Sequence, residues 1–278
     1  MYYLLTESFK QQEEKLVQII LEVVPADSIY LLGSTLLTRR TESVFNTDAP
    51  SGRYAGHYYL LVLSGNEQDV HAVQDIIEGR CRNDIPVTAI VLKTSLFNAW
   101  YTEGHRFAHT VCTIAVLLHG TKVMLPVITA PPGEDVVQEQ NNILFTDGLN
   151  KVTEFIAGAE LYIIRKQTKM AAFMLHQAAE QALHTLFQLR TGMYVNSHNL
   201  DKLVRYCSMF CYNLPEIFPR SNEKEEHLFQ LLQKAYVGGR YRDGYIVTTI
   251  ELQKIKLRIN ALKDLLERFP KSRLNTVW

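Results

Sequence analysis

Cysteine is scarce in this 278-residue chain: Cys81, Cys112, Cys207 and Cys211 are the only four, and no two form a Cys-x-x-Cys pair. A chain of this length can bury a core that needs no disulfide staples, so reduced thiols and a cytoplasmic setting are the expectation. Net charge is lacking as well. Lys and Arg total 29, and Asp and Glu total 29. That balance removes the global basic excess of a charge-driven nucleic-acid binder, and DNA is not an expected partner. Local basic pairs remain, Arg39-Arg40 and Arg240 with Arg242. Long apolar runs are absent too. The longest, such as 110–118, fall far short of the roughly 20 residues a membrane helix needs. The opening MYYLLTESFKQQEEK has no basic start and soon turns polar, so it does not read as a signal peptide. No Gly-x-Ser-x-Gly elbow, phosphate-loop signature or dinucleotide glycine fingerprint occurs.

What is present is ample core material. Hydrophobic residues make up 47% and charged residues 21%, the mix of a folded protein, and the length suits two domains. The N-terminal part alternates helices and strands. Phe9, Leu16, Ile19, Ile20 and Val23 recur at helical spacing over 7–24. Strands are predicted at 28–32, ending at Gly33-Ser34, then at 58–63 and 86–92. Helices are predicted at 67–80, 94–101 and 103–118, and a loop at 38–56. Strands interleaved with helices imply a small mixed sheet with helices packed on it. Prolines and amides over 126–147 mark a linker between an α/β domain, 1–125, and a helical bundle, 148–278.

Beyond that linker nothing reads as strand. Leu149, Val152, Ile156, Ala159 and Ile163 set a helical phase that continues through Met170, Phe173, Gln177 and Glu180 toward Arg190. Helices follow at 200–212 and 222–237, with a break expected at Gly238-Gly239. In the last, 245–268, Leu252, Ile255, Ile259, Leu262, Leu266 and Phe269 form a three-four stripe. Its apolar surface suggests a homodimer through the C-terminal helices.

His105, His109 and Cys112 share one helix face at zinc-compatible spacing. With no second ligand cluster at metal spacing, they read as packing residues and no metal site is expected. Cys207 and Cys211 likewise read as buried thiols.

The first half resembles the minimal nucleotidyltransferase fold. That family carries Gly-Ser at a helix start, two alternating aspartates at the next strand's entry and a third on a later strand, which hold the catalytic cations. Here Gly33-Ser34 stands, but His57, Tyr59 and Thr88 occupy the carboxylate positions, and Asp48 and Asp84 lie off the alternation. The resemblance therefore implies a transferase-like domain with a degenerate site.

The second half resembles the HEPN family through three segments in order. These are Met170-Ala-Ala-Phe-Met-Leu-His-Gln-Ala-Ala-Glu-Gln-Ala-Leu-His184, then Ser197-His-Asn-Leu200, then Ala235-Tyr-Val-Gly-Gly-Arg-Tyr241. The residues that match are Phe173, Gln177, Glu180, His198, Leu200, Tyr236, Arg240 and Tyr241. The resemblance implies nucleotide binding or RNA cleavage. Cleaving members carry an Arg and a following His separated by four to six residues. After Arg240 no histidine follows at that distance, and Tyr245 stands there, a phenol ill-suited to neutral proton transfer. Arg220 and His227 satisfy the spacing but lie in a polar helix start.

The sequence reading is thus a nucleotide- or RNA-binding module with no catalytic residue assigned. Gln177, Glu180, His198, Tyr236, Arg240, Tyr241 and Arg242 are its candidate contacts, and no cofactor is implied beyond a nucleotide ligand. The alternatives are a transferase or ribonuclease with altered residues, and a structural dimerisation protein. Arg240 and Tyr241 are expected to open a helix after Gly238-Gly239, with free backbone N–H groups and Glu180 alongside.

Overall fold

The computed structural model describes residues 7–39, 52–66, 69–82, 85–122, 125–241 and 244–269, with side chains throughout except at 7–8, 36–39, 52–55 and 241. It divides into two compact units, Met1–Pro132 and Gly133–Trp278.

The first unit runs α1 (Glu7–Val23), β1 (Ser28–Arg39), β2 (Gly52–Ser64), α2 (Val70–Cys81), β3 (Val87–Lys93), α3 (Thr94–Thr102), α4 (Arg106–Ile114) and β4 (Val116–Gly120). Its sheet has the order β3-β2-β1-β4. β1 pairs antiparallel with β2 and β4, while β2 and β3 are parallel, so the sheet is mixed as expected. Strand alternation sends Tyr58, Leu60 and Val62 into a core with Leu16 and Ile20 of α1 and Val73 and Ile77 of α2. On the opposite face Tyr30 lies against Phe97 of α3, ring centroids 6.3 Å apart. Both faces being covered explains why the β2 sequence is a continuous apolar run rather than an alternation.

Two expectations are corrected here. β1 does not stop at Gly33-Ser34 but continues to Arg39; an irregularity after Leu31 leaves Leu32 as the extra residue, Gly33 pairs with Tyr59, and a second irregularity follows Thr35. The predicted loop 38–56 therefore supplies strand at both its ends, while 40–51, with Arg40 and Asp48, lies outside the described residues. The helix expected over 103–118 ends at Ile114. Ala115 turns extended (ψ 146°), and Val116-Leu117-Leu118 becomes the strand that covers the free edge of β1.

The second unit is helical: α5 (Glu134–Ile164), α6 (Thr168–Thr191), α7 (Leu200–Ser208), α8 (Leu214–Ile217), α9 (Glu223–Tyr241) and α10 (Thr249–Arg268). α5 begins inside the expected linker, so only 126–133 is a connection. Gly133 caps the helix, and Glu134 and Asp135 face its positive end. The phase read as continuous from 149 to 190 is two helices, reversed at Lys166 with φ 58°. α6 is the central element. Its buried alanines, Ala171, Ala172, Ala178, Ala179 and Ala182, present little bulk and let neighbours approach closely.

α9 is unbroken across Gly238-Gly239, contrary to expectation. A Cβ on Gly239 would lie 2.8 Å from the Lys169 carbonyl oxygen and 3.0 Å from Phe173 Cβ; one on Gly238 would lie 2.6 Å from the Tyr245 ring. Gly239 brings α9 against α6, and Gly238 makes room for Tyr245, rather than ending a helix. The α10 stripe, Leu252 to Phe269, is buried within the bundle and leaves no apolar surplus for a partner. Among the described residues no helix is long and apolar enough to cross a membrane.

Candidate functional site

Phe173, His176, Gln177, Glu180 and His184 recur at three and four residues along α6 and so lie on one face. The Glu180 carboxylate accepts from Nδ1 of His198 at 3.0 Å and from Nε2 of Gln177 at 3.3 Å. His198 is placed by the connection that leads into α7. There His184 Nε2 donates to the Ser197 carbonyl at 2.9 Å, and Asn199 caps α7 by accepting from the Lys202 N–H.

α9 supplies the rest. The Tyr236 ring stacks on His198, with centroids 4.5 Å apart and planes 14° off parallel. The Arg240 guanidinium lies 4.4 Å from the Tyr236 ring centroid and 4.9 Å from that of Phe173, and its Nε donates to the Tyr236 carbonyl. His198, Tyr236, Arg240 and Phe173 therefore form one contiguous cluster, in which His198 and Tyr236 are stacked and Phe173 is tilted 40° from the Tyr236 ring. His198 and Tyr236 line an open groove of about 800 Å³ together with Asn199, Gln233, Lys234, Val237, Gly238, Gly244 and Tyr245.

The sequence-derived residues Gln177, Glu180, His198, Tyr236 and Arg240 are thus brought together. The Tyr241 side chain and Arg242 lie outside the described residues. The predicted phosphate receptor at a helix start is overturned, because Arg240 sits in the last turn of α9, where carbonyls rather than N–H groups are free. A guanidinium there favours the negative end of the helix. Two residues went unselected in the sequence, His176 and His184. Their spacing from Glu180 on the α6 face was the signal available.

Burial, with His198 and Arg240 nearby, pushes His176 down to about 3. Burial also lowers His184, despite its bond to Ser197 and the neighbouring Glu180. Tyr245 is not an acid–base group here: its hydroxyl donates to the Leu231 carbonyl, and burial pushes the phenol well above its ordinary value. Arg220 and His227 are held by different carboxylates, Asp201 at 2.6 Å and Glu251 at 2.9 Å.

In the first unit, register aligns Gly33 with Tyr59 and Tyr59 with Thr88, while Ser34 pairs with Tyr58. His57 Nε2 is hydrogen-bonded to Thr88 Oγ1 at 2.8 Å, and its ring lies 4.8 Å from that of Tyr59. Gly33-Ser34 lies inside a strand rather than at a helix start, a further departure from the transferase pattern. Asp84 falls outside the described residues. An imidazole, a phenol and a hydroxyl do not fit magnesium, which takes hard oxygen ligands and chiefly carboxylates. Among the described residues no group of His, Cys, Asp or Glu is placed to hold a metal. His105 caps α4 by accepting the Phe107 N–H and stacks on Trp100, and burial raises the Cys112 thiol to about 11.

Residues 147–268, from the middle of α5 to the end of α10, match the HEPN domain family. Among solved structures, a nucleotidyltransferase-like protein from Exiguobacterium sibiricum 255-15 is similar at 8% identity, with a TM-score of 0.31, over 93% of this chain and 76% of that chain. Among curated proteins none matches.

Proposed function

We propose that the HEPN domain is a non-catalytic module that binds a nucleotide, free or within RNA, in the groove beside His198 and Tyr236. The observation that carries this reading is the stacked pair of His198 and Tyr236 lining that groove, with the Arg240 guanidinium over the Tyr236 ring beside it. Aromatic and imidazole faces accept a base by stacking, while Arg240 and Lys234 supply cationic groups for phosphate.

The test is a thermal-shift panel of nucleotides and short RNAs, with and without magnesium. Ligand at a hundredfold over Kd adds about 2.7 kcal/mol of stability. Arg240→Ala is expected to remove the ligand-dependent shift while lowering the unliganded stability by no more than about 1 kcal/mol, the loss of its contacts with the Tyr236 and Phe173 rings. A wild-type melt that no nucleotide or RNA moves would overturn the reading.

In the same reading the first unit is transferase-like without transferase chemistry. Labelled-nucleotide incorporation is expected to stay at background with magnesium present, because His57, Tyr59 and Thr88 replace the carboxylates. Incorporation abolished by a chelator would contradict this. The reading also includes a cytoplasmic setting and a homodimer through the helical domain, but not by way of the buried Leu252–Phe269 stripe.

A further inference from the structure

Two carboxamide side chains, Asn199 and Gln233, line the groove with His198 and Tyr236. Both have their oxygen already engaged. Asn199 Oδ1 accepts from the Lys202 N–H at 3.1 Å, and Gln233 Oε1 accepts from the Asp201 N–H at 3.1 Å. These are successive N–H groups in the first turn of α7, where the helix itself supplies them no acceptor. A backbone N–H only donates, so each amide oxygen must face it, and the orientation of both amides is fixed. What remains to each is its NH2 group, and neither NH2 has a hydrogen-bond partner among the described residues. An amide with both ends free offers a donor and an acceptor; these two offer donors alone.

The rest of the lining agrees in sign. Lys234 adds an ammonium without an ion pair among the described residues, and no carboxylate is among the described residues that line the groove. The Tyr245 hydroxyl is engaged by the Leu231 carbonyl, and His198 turns its Nδ1 to Glu180. The Tyr236 hydroxyl and the second nitrogen of His198 can each donate or accept, and so impose no preference. Gln233 lies three residues from Tyr236 on the same face of α9, and Asn199 follows His198 directly, so a base stacked on this ring pair meets amide N–H groups at its edge. Bases differ in what that edge presents. Guanine carries two adjacent acceptors, O6 and N7, whereas adenine places its N6 amino donor beside N7. An amide with both ends free matches adenine. Two amides reduced to their N–H groups match guanine and set donor against donor at adenine.

We infer that the groove selects guanine, in a free nucleotide or within RNA, and that Asn199 and Gln233 determine this choice by donating to O6 and N7 of a base stacked on Tyr236. The inference rests on the nucleotide reading of the groove and adds which base it takes. Capping and base choice share the same two side chains: their oxygens hold the start of α7 and their nitrogens face the ligand.

Titration calorimetry on the full chain tests this with the monophosphates of guanosine, inosine, 7-deazaguanosine, adenosine and cytidine, and with the short RNAs UUGUU and UUAUU. The guanosine and inosine nucleotides, which share O6 and N7, are expected to bind about tenfold or more tighter than the adenosine nucleotide, with the 7-deaza compound between them. The same order between the two RNAs, or its restriction to one class of ligand, tells whether the guanine comes free or in a strand. Asn199→Asp and Gln233→Glu each keep an oxygen on the α7 N–H group, so the cap survives, and each puts an acceptor where the NH2 donor stood. The added charge weakens every nucleotide, so the reading is the ratio of guanosine to adenosine affinity, expected to fall to about one or below in each variant. The wild-type panel decides the matter even where a variant fails to fold. Equal affinity for guanine and adenine, a preference for cytosine, or a ratio that neither substitution moves overturns the guanine assignment and leaves nucleotide binding standing. A wild type that binds none of the nucleotides or RNAs overturns both.

Discussion

His176→Leu is expected to raise the stability of the helical domain and to remove most of its sensitivity to mild acid. His176 is fully buried in α6, and neither ring nitrogen has a hydrogen-bond partner. Its Nδ1 lies 3.9 Å from the Glu180 carboxylate, and the Tyr236 ring centroid lies 5.3 Å from that of the imidazole. An unpaired buried donor and acceptor cost about 1–3 kcal/mol, and an apolar side chain of similar size carries no such cost. A gain of about 1–2 kcal/mol at neutral pH follows. The larger effect is in the pH dependence. Folding lowers this imidazole from an ordinary 6.5 to about 3. Below pH 6.5 the unfolded chain therefore takes up a proton that the folded chain refuses. Stability falls with pH across that window by up to about 1.4 kcal/mol per unit. His184, also lowered by burial, adds a loss of the same sign. Asp201 and Glu251, held below the ordinary carboxylate range by Arg205 and Arg220 and by Thr248 respectively, contribute stability that is lost only at lower pH. Urea unfolding at pH 7.5 and at pH 5 separates the terms. A wild type equally stable at both, or a leucine variant that loses as much as the wild type, would contradict the assignment.

The next largest effect is expected from adding bulk where helices touch. On Gly148 of α5, a Cβ would lie 2.3 Å from Thr185 Oγ1 and 2.6 Å from its Cγ2. Thr185 is itself buried and bonded to the Gln181 carbonyl, so it has little room to rotate. Gly239 meets backbone, the Lys169 carbonyl, which cannot yield without moving α6. Gly148→Val and Gly239→Val are each expected to destabilise the bundle by about 2–3 kcal/mol, the cost of overpacking at a rigid contact. Gly79, inside α2 with open space around its Cβ direction, provides the opposite sign. Gly79→Ala should stabilise the first unit by about 0.5–1 kcal/mol through helix propensity alone. Denaturant midpoints read all three, and wild-type stability in Gly148→Val would show that the α5–α6 approach is softer than argued. Gly239→Val also moves Phe173 and so should weaken nucleotide binding.

These glycines illustrate what the sequence could and could not tell. Helix and strand identities were legible wherever apolar spacing was strong, as in α1, β2, β3 and α10. The misreadings came where one residue type serves two ends. Gly33 reads as a strand terminator, yet β1 runs on through it, paired with Tyr59; Gly238-Gly239 reads as a helix break, yet Gly239 is where α6 comes close and Gly238 is where Tyr245 packs. β4 was hidden because Val116-Leu117-Leu118 prolongs the apolar phase of α4, and only the unpaired edge of β1 selects strand. Within the site, order along the chain was enough to bring Gln177, Glu180, His198, Tyr236 and Arg240 together. The direction of α9 past the glycines was not, and with it went the expected free N–H groups. His176 could not be distinguished from a surface histidine without knowing that its face of α6 is covered.

The unequal lengths of the strands carry a consequence for the first unit. At Leu60 the sheet is four strands wide, with Ala89 on one side and Leu31 and Val116 on the other. At Tyr59 it is three wide, through Thr88 and Gly33, and beyond Thr35 and His57 only β1 and β2 remain, paired to Arg39 and Gly52. Each lost neighbour removes a row of hydrogen bonds and exposes a backbone edge. A single strand, β1, thus spans a ladder of opening free energies, from the cooperative unfolding of the whole unit at Ile29 to local fraying at Arg39. The tip can open and close many times without the base registering it, so this unit keeps two clocks along one stretch of chain.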